Sequence, residues 1–366
     1  MDTLPVAAAN PKQFKWLSRH CLRSADSALL LPALYLFHDG QSLRAEWRTD
    51  TPGSMPNMPG EFVSEGADGL DSPATQESFA QFIGAVLDRV TDLEDDRVSE
   101  LRAQWRAIQG ADSEEQHFCT LAGRMGLDPY DRSEMTDELS RFLEETIDFP
   151  ESALVSDLTE LARPDSVQTQ WEWVTRMSRE LHLGPTSSVY SFDLSKLELS
   201  PHQFGYRLAR RVREAAKLDA AVPIASAEDV ARSIMGAEFQ IQDRNHVPGD
   251  GIRAIVGQAP GGAVVSAGPR PSIETSQRFL TARSVYHALV TIHESQRLVT
   301  DAYSWDQKAS RAFAAELLAP QKALASRVKS LPADRYTIEE LSREFKVSTM
   351  VIEKQLENAG VSLALE

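Results

Sequence analysis

A chain of 366 residues, 42% hydrophobic and 25% charged, has the composition of an ordinary soluble globular protein and enough material for two or three domains. Its formal charge of −16 excludes a surface that neutralises nucleic-acid phosphates in bulk, leaving room only for a local basic patch. Two cysteines, Cys21 and Cys119, form no CxxC pair, which excludes a zinc ribbon and a disulfide framework and fits a reduced compartment. The N-terminus has no signal-peptide pattern, and the apolar run over 28–37 contains a proline and is too short to span a bilayer. A cytoplasmic location without membrane contact is therefore expected.

The first segment, 1–70, reads as a helix over 11–29 followed by a β-hairpin. Ala33 to Phe37 and Ser42 to Trp47 flank His38-Asp39-Gly40-Gln41, and an Asp-Gly between two alternating runs is a hairpin signal. Residues 51–69 are rich in Pro, Gly and Met and read as a loop or extended edge. His20 beside Cys21 reads as structural. The second segment, 75–195, is acidic and helical, with apolar positions at helical spacing over 76–90, 95–108, 114–125, 155–161 and 166–181. Gly126 is a helix stop, Ser133 a helix start, and Trp171 and Trp173 are packing anchors. Asp and Glu crowd the helices around Gly126, so a plain helical pair is favoured over a DNA reader, which needs Arg and Lys near phosphates. The acidic faces read as solvated surface, with a basic protein partner as the sharper alternative.

The third segment, 196–330, opens on Ser200-Pro201, an N-cap and N1 pair. The helix that follows, to about Lys217, carries Arg207, Arg210, Arg211 and Arg213, the most basic stretch of the chain. A solvated face is favoured there over a nucleic-acid contact. Ser226 and Asp229 resemble a capping box before 230–235, and Gly236 closes that helix. Short strands are expected over 238–242, 252–256 and 263–267. Then comes RFLTARSVYH, Arg278 to His287, in which Arg283 and His287 share one helix face. Phe313-Ala314-Ala315-Glu316-Leu317-Leu318 forms an apolar stripe that Pro320 ends. The last segment, 331–366, reads as two helices, the first with a capping box at Thr337 to Glu340 and the second capped by Ser348. Residues 337–360 carry more Glu than Lys and Arg, so packing is expected of them rather than DNA reading.

From about 201 to the C-terminus, a little under half of the chain, these blocks resemble the ImmA/IrrE family of zinc metallopeptidase-like proteins. That family reads roughly R-F-T-L-A-H-E-x-x-H, then a Glu about twenty residues on, then A-N-x-F-A-A-E-L-L-M-P. Arg278, Phe279, Ala282 and His287 fall in register, as does the run from Phe313 to Leu318 with Pro320. The resemblance implies a zincin-like domain with a small antiparallel sheet, 278–292 as its central buried helix, and a terminal segment like a helix-turn-helix. The expected fold is α+β and mostly helical, the zincin-like domain preceded by the helical and hairpin region.

The departures decide the chemistry the resemblance implies. Arg283 stands at the first metal-ligand position, Ser284 at the general base and Gln307 at the third ligand; only His287 remains. A zincin needs both histidines, the third ligand and the glutamate. Arg has no lone pair to donate and brings positive charge where the metal would sit. The expectation is therefore no cofactor and a pseudo-peptidase, its site lined by Arg283, His287, Asp306 and Glu316, with Asp306 as the counter-ion of Arg283 and Glu316 in reserve. His287 alone reads as a buried, hydrogen-bonded side chain. The function the family implies is regulation in stress responses, mobile-element control or phage defence, here by binding a protein partner such as a helix-turn-helix repressor. Two alternatives stay open: a zinc endopeptidase cutting a repressor through His287, Asp306 and His293, and a DNA-binding regulator.

Overall fold

The computed structural model describes residues 20–25, 29–38, 43–49, 61–90, 95–130, 135–147, 149, 152–161, 165–181, 200–219, 221–244, 250–259, 262–291, 296–328 and 332–364. The fold is α+β and mostly helical, with small sheets, and it divides into two compact units, Met1–Gln116 and His117–Glu366.

In the first unit β1 (Ala33–His38) and β2 (Leu43–Arg48) pair antiparallel, with His38 opposite Leu43. The Asp39-Gly40 turn expected between them lies outside the described residues. A third strand, β3 (Gly66–Leu70), adds to β2 where a loop was expected. Its sequence, Gly-Ala-Asp-Gly-Leu, has no apolar alternation because it is an exposed edge. Of the helix expected over 11–29, the described part is a 3-10 turn, Leu22–Ser24. Nearby, His20 Nδ1 lies 3.0 Å from Leu36 O and Cys21 is buried, a packing arrangement. Helix α1 (Ser72–Arg89) is capped by Asp71 and α2 (Asp96–Gly110) by Asp95. Helix α3 (Ser113–Arg124) then carries the chain across the boundary.

The second unit is built on a four-stranded sheet in the order β4 (Phe239–Asp243), β6 (Val264–Gly268), β5 (Ile252–Gln258), β7 (Arg297–Thr300). The antiparallel sheet expected here is corrected to a mixed one, because β4 runs parallel to β6 while β5 is antiparallel to both its neighbours. Strand β7 was not anticipated. Apart from Arg253, β5 and β6 are buried throughout, so they read as continuous apolar runs and need cover on both faces. One face takes Ala254, Val256, Val264 and Val299 against α7 (Pro201–Ala215), α8 (Ala227–Met235), α9 (Glu274–Thr291) and α10 (Trp305–Leu318). The other takes Ile252, Ile255, Val265 and Leu298 against α4 (Asp137–Ile147), α5 (Ser152–Thr159) and α6 (Val167–Glu180), where Trp171 and Trp173 are buried. Helices α4, α5 and α6 of the acidic segment are thus the second cover of the same sheet.

Local signals account for the element ends. Ser200 and Gln203 form a complete capping box on α7, Ser226 caps α8 through Asp229 N, and Gly236 closes α8 in the left-handed region at φ 64°. Gly205 sits where α7 crosses α10 so closely that a Cβ would run into the Ala309 carbonyl oxygen. The basic face of α7 is partly spent inside: Arg213 is buried and donates to Leu317 O (2.7 Å), the last turn of α10, and Arg210 pairs with Glu316 (2.8 Å). Helices α11 (Gln321–Arg327), α12 (Arg335–Phe345) and α13 (Thr349–Asn358) complete the core with Ile338, Leu341, Phe345, Ile352 and Leu356. The capping box expected at Thr337 is corrected: Asp334 caps α12 by accepting from Thr337 N (2.8 Å), three residues before the expected cap. Ser348 caps α13 as expected.

Candidate functional site

Helix α9 has no single apolar stripe, because the eight residues Thr281 to Ala288 are all buried. A helix buried on every side carries its polar residues into the core, where each must find a partner. Helix α10 crosses it, and short β7 runs beside both. The polar groups of these three elements make one closed network.

Arg283 is at its centre. Its Nη2 donates to Gln307 Oε1 (2.7 Å) and to Thr300 O (2.6 Å), and its Nε donates to Ser310 Oγ (3.1 Å). Gln307 Oε1 also accepts from Thr300 N (3.0 Å), and Gln307 Nε2 donates to Leu298 O (2.7 Å). Ser310 Oγ donates to Gln307 O (2.9 Å). The two positions matched to the first and third ligands are thus in direct contact. Among the described residues no carboxylate forms an ion pair with Arg283. Burial first, and the Arg311 charge second, bring its guanidinium down to about 9, with Asp301 acting the other way. At neutral pH it is charged and held by neutral acceptors.

The network has a second consequence. β7 is an edge strand, and its residues alternate between facing β5 and facing outward. The outward groups are all taken by side chains. Leu298 N donates to Asp157 Oδ2 (3.0 Å), Leu298 O and Thr300 N bind the Gln307 amide, and Thr300 O accepts from Arg283. This edge is closed to another strand.

The expected counter-ion is corrected. Asp306 faces away from Arg283, accepting from Tyr286 OH (3.0 Å) and from Arg297 Nη1 (3.1 Å). Arg297 is nearly buried and is gripped on its other side by Asp157, at 2.7 and 2.8 Å. Glu316, the reserve choice, lies apart from Arg283. It binds Arg210, Gln321 N (3.1 Å) and Gln355 Nε2 (3.0 Å), joining α7, α10, α11 and α13. Ser284 donates to Leu280 O (3.1 Å) and meets Ser266 Oγ at 2.8 Å. His287 is fully buried, with its ring edge-on to Tyr286 at 5.1 Å between centroids. His293, the third member of the alternative metal set, lies outside the described residues.

This donor set does not fit a zinc ion. Of the four matched positions, Arg283 has nothing to coordinate with, and both polar ends of Gln307 are engaged by the β7 backbone and Arg283. Asp306 is already shared by Tyr286 and Arg297. Among the described residues no three His, Cys, Asp or Glu side chains stand together as a ligand group.

Beside the network is a cleft of about 670 Å³ on the α9 side of the sheet. Phe239 and Ile241 of the edge strand β4 line it, with Arg232 of α8, Arg253 of β5, Arg270 ahead of α9 and Arg278 in its second turn. Val264 N donates to Glu238 O and Arg244 N to Gly268 O, so the even-numbered residues of β4 bond inward. Phe239, Ile241 and Asp243 then turn their backbone groups to the outer side.

No protein-family model matches the chain, and no curated protein matches it. Arg283 and Gln307 meet directly, and the structure adds Ser310, Thr300, Arg297 and Asp157, none of which was among the expected site residues. Arg297 to Thr300 carried a weak signal, a short run ending in two β-branched residues. Asp157 carried none, since it reaches Arg297 across 140 residues.

Proposed function

We propose that this chain is a cleavage-inactive relative of the ImmA/IrrE metallopeptidases, zincin-like in its sheet and central helix, that binds an extended segment of a protein partner. The partner class is that of the family, a helix-turn-helix repressor or another regulatory component. The observation that carries this reading is the Arg283–Gln307 contact: two residues matched to ligand positions from separate motifs meet in space at 2.7 Å. If the motifs correspond, their ligand positions should converge, and the contact between these two supports that reading. A guanidinium then fills the place of the cation, as the loss of the metal requires.

Binding survives such a loss because the cleft does not depend on the metal. An extended peptide adds to a free sheet edge through main-chain hydrogen bonds, with alternate side chains in pockets. β7 is closed to this, and β4 borders the cleft. The reading rests on geometry that a selection can test. Displayed random dodecapeptides, selected on the full chain and then synthesised, should bind in the presence of a chelator and be recovered intact by mass spectrometry. Ile241→Pro, which removes an outward N–H, should abolish binding without unfolding the chain. Cleavage of a bound peptide that is lost on His287→Ala, or binding unchanged by Ile241→Pro, contradicts the proposal.

A further inference from the structure

The cleft beside β4 is not charged like the rest of the chain. Over the whole sequence 38 Lys and Arg face 54 Asp and Glu, yet the cleft walls carry four arginines, Arg232, Arg253, Arg270 and Arg278, against Glu228, Asp229 and Glu238. The pairing within it matters more than the count. Arg232 is taken by Asp229 (2.5 Å), with Glu238 at 3.9 Å. Arg253 is taken by a two-point ion pair to Asp301. Glu228 accepts from Ser226 Oγ at 2.9 Å.

Among the described residues, two guanidiniums remain whose hydrogen-bond partners are neutral. Arg270 Nη2 donates to Gln277 Oε1 (3.1 Å), while its backbone N–H, not its guanidinium, donates to Asp243 Oδ1 (3.3 Å). Arg278 donates from Nη1 to Ala225 O (2.7 Å) and from Nη2 to Ile224 O (2.8 Å). Carbonyl dipoles fix the Arg278 guanidinium in place and leave its net charge standing. Both side chains flank the first turns of α9, an 18-residue helix whose N-terminal dipole adds positive potential there. Glu274, in the first turn, is 73% exposed and 4.0 Å from Lys346, so it faces that lysine. A half-enclosed wall carrying two such cations attracts an anion more strongly than an open surface does.

Building on the peptide-binding reading above, we infer that the cleft selects an extended segment bearing an Asp or Glu side chain, received by Arg270 and Arg278. A guanidinium suits a carboxylate, which accepts charge-assisted N–H bonds; Arg270 can supply these, while Arg278, held by two carbonyls, adds charge. The carboxylate supplies the counter-charge the two guanidiniums lack, and strand addition at β4 sets how far along the segment it must lie.

The same selection of random dodecapeptides on the full chain tests this. Selected peptides should share an Asp or Glu at one position, and replacing it by Asn or Gln should weaken binding roughly tenfold, the loss of one charge-assisted contact. Arg270→Gln should lose the acidic preference and bind the acidic peptide and its amide equally. Arg278 also holds residues 224 and 225, so Arg278→Lys is the companion variant: it keeps the charge and should keep the acidic preference that Arg270→Gln loses. Peptides selected without a shared acid, or bound equally after the amide replacement, overturn the charge selection and leave peptide binding intact. Recognition lost on C-terminal amidation alone overturns it too, because a chain terminus is then the group received. Failure to select any peptide overturns this inference together with the reading beneath it.

Discussion

A buried guanidinium persists only where its N–H groups find acceptors, and Arg283 finds them on Gln307, Thr300 and Ser310. Arg283→Ala strips these acceptors of their donor and leaves a cavity, so a loss of about 2–4 kcal/mol in urea unfolding is expected. Arg283→Met fills the volume without a charge to desolvate and should cost less than half of that. Equal losses would mean that the filled volume contributes nothing and that the lost hydrogen bonds carry the whole effect. The sequence placed Arg283 and His287 on one face because helical spacing dictates it. It chose Asp306 as the partner of Arg283, one position short of Gln307, and neighbours on a helix point about 100° apart. Only one can reach Arg283, and the closing of the β7 edge selects the amide. Nearby, burial first and the Asp157 charge second raise Glu160 from 4.5 to about 7, with Ser304, Arg124 and Arg297 opposing. A carboxyl whose folded value is raised stabilises the fold below pH 4.5, and that stability is lost as pH rises through 7. Between pH 5 and 8 the wild type should lose about 1–3 kcal/mol more than Glu160→Gln, at 1.36 kcal/mol per unit. Parallel pH profiles of the two unfolding midpoints would contradict this.

Elements were legible where apolar pattern and caps agreed. α7, α8 and α13 start at the serines that the sequence marks, and β5 and β6 stand out as apolar runs. The pairing of strands was not legible. Nothing local to 239–243 shows that β4 lies beside β6 rather than β5, since that depends on the path of the chain. Nor does β3 advertise itself, being an exposed edge with no buried side to impose a period. β7 is short, and what defines it lies in distant helices. Asp157 of α5 holds both Arg297 and the Leu298 amide. Asp157→Asn should therefore cost about 3 kcal/mol, the scale for removing one partner of a buried pair. It should also speed hydrogen exchange at Leu298 more than at Ile255 on the paired strand. Uniform acceleration across the sheet would instead indicate global destabilisation with no local role for this contact.

Across the whole chain, the charge of −16, the burial of Arg213 and the pairing of Arg210 with Glu316 leave little basic surface for a duplex. Specific DNA binding in the nanomolar range at about 150 mM salt is not expected, and a salt-dependent shift assay checks it. Among the described residues no helix is long and apolar enough to cross a membrane. The central claim concerns what fills the space between α9, α10 and β7. Restoring ligands should reverse it: Arg283→His, Ser284→Glu and Gln307→Glu together should bind zinc where the first two alone bind it weakly. Elemental analysis of the purified wild-type chain, grown with zinc supplied, is the most direct measurement. The account predicts zinc well below one equivalent, unchanged by His287→Ala. One equivalent of zinc per chain, lost on His287→Ala or Asp306→Ala, would contradict it.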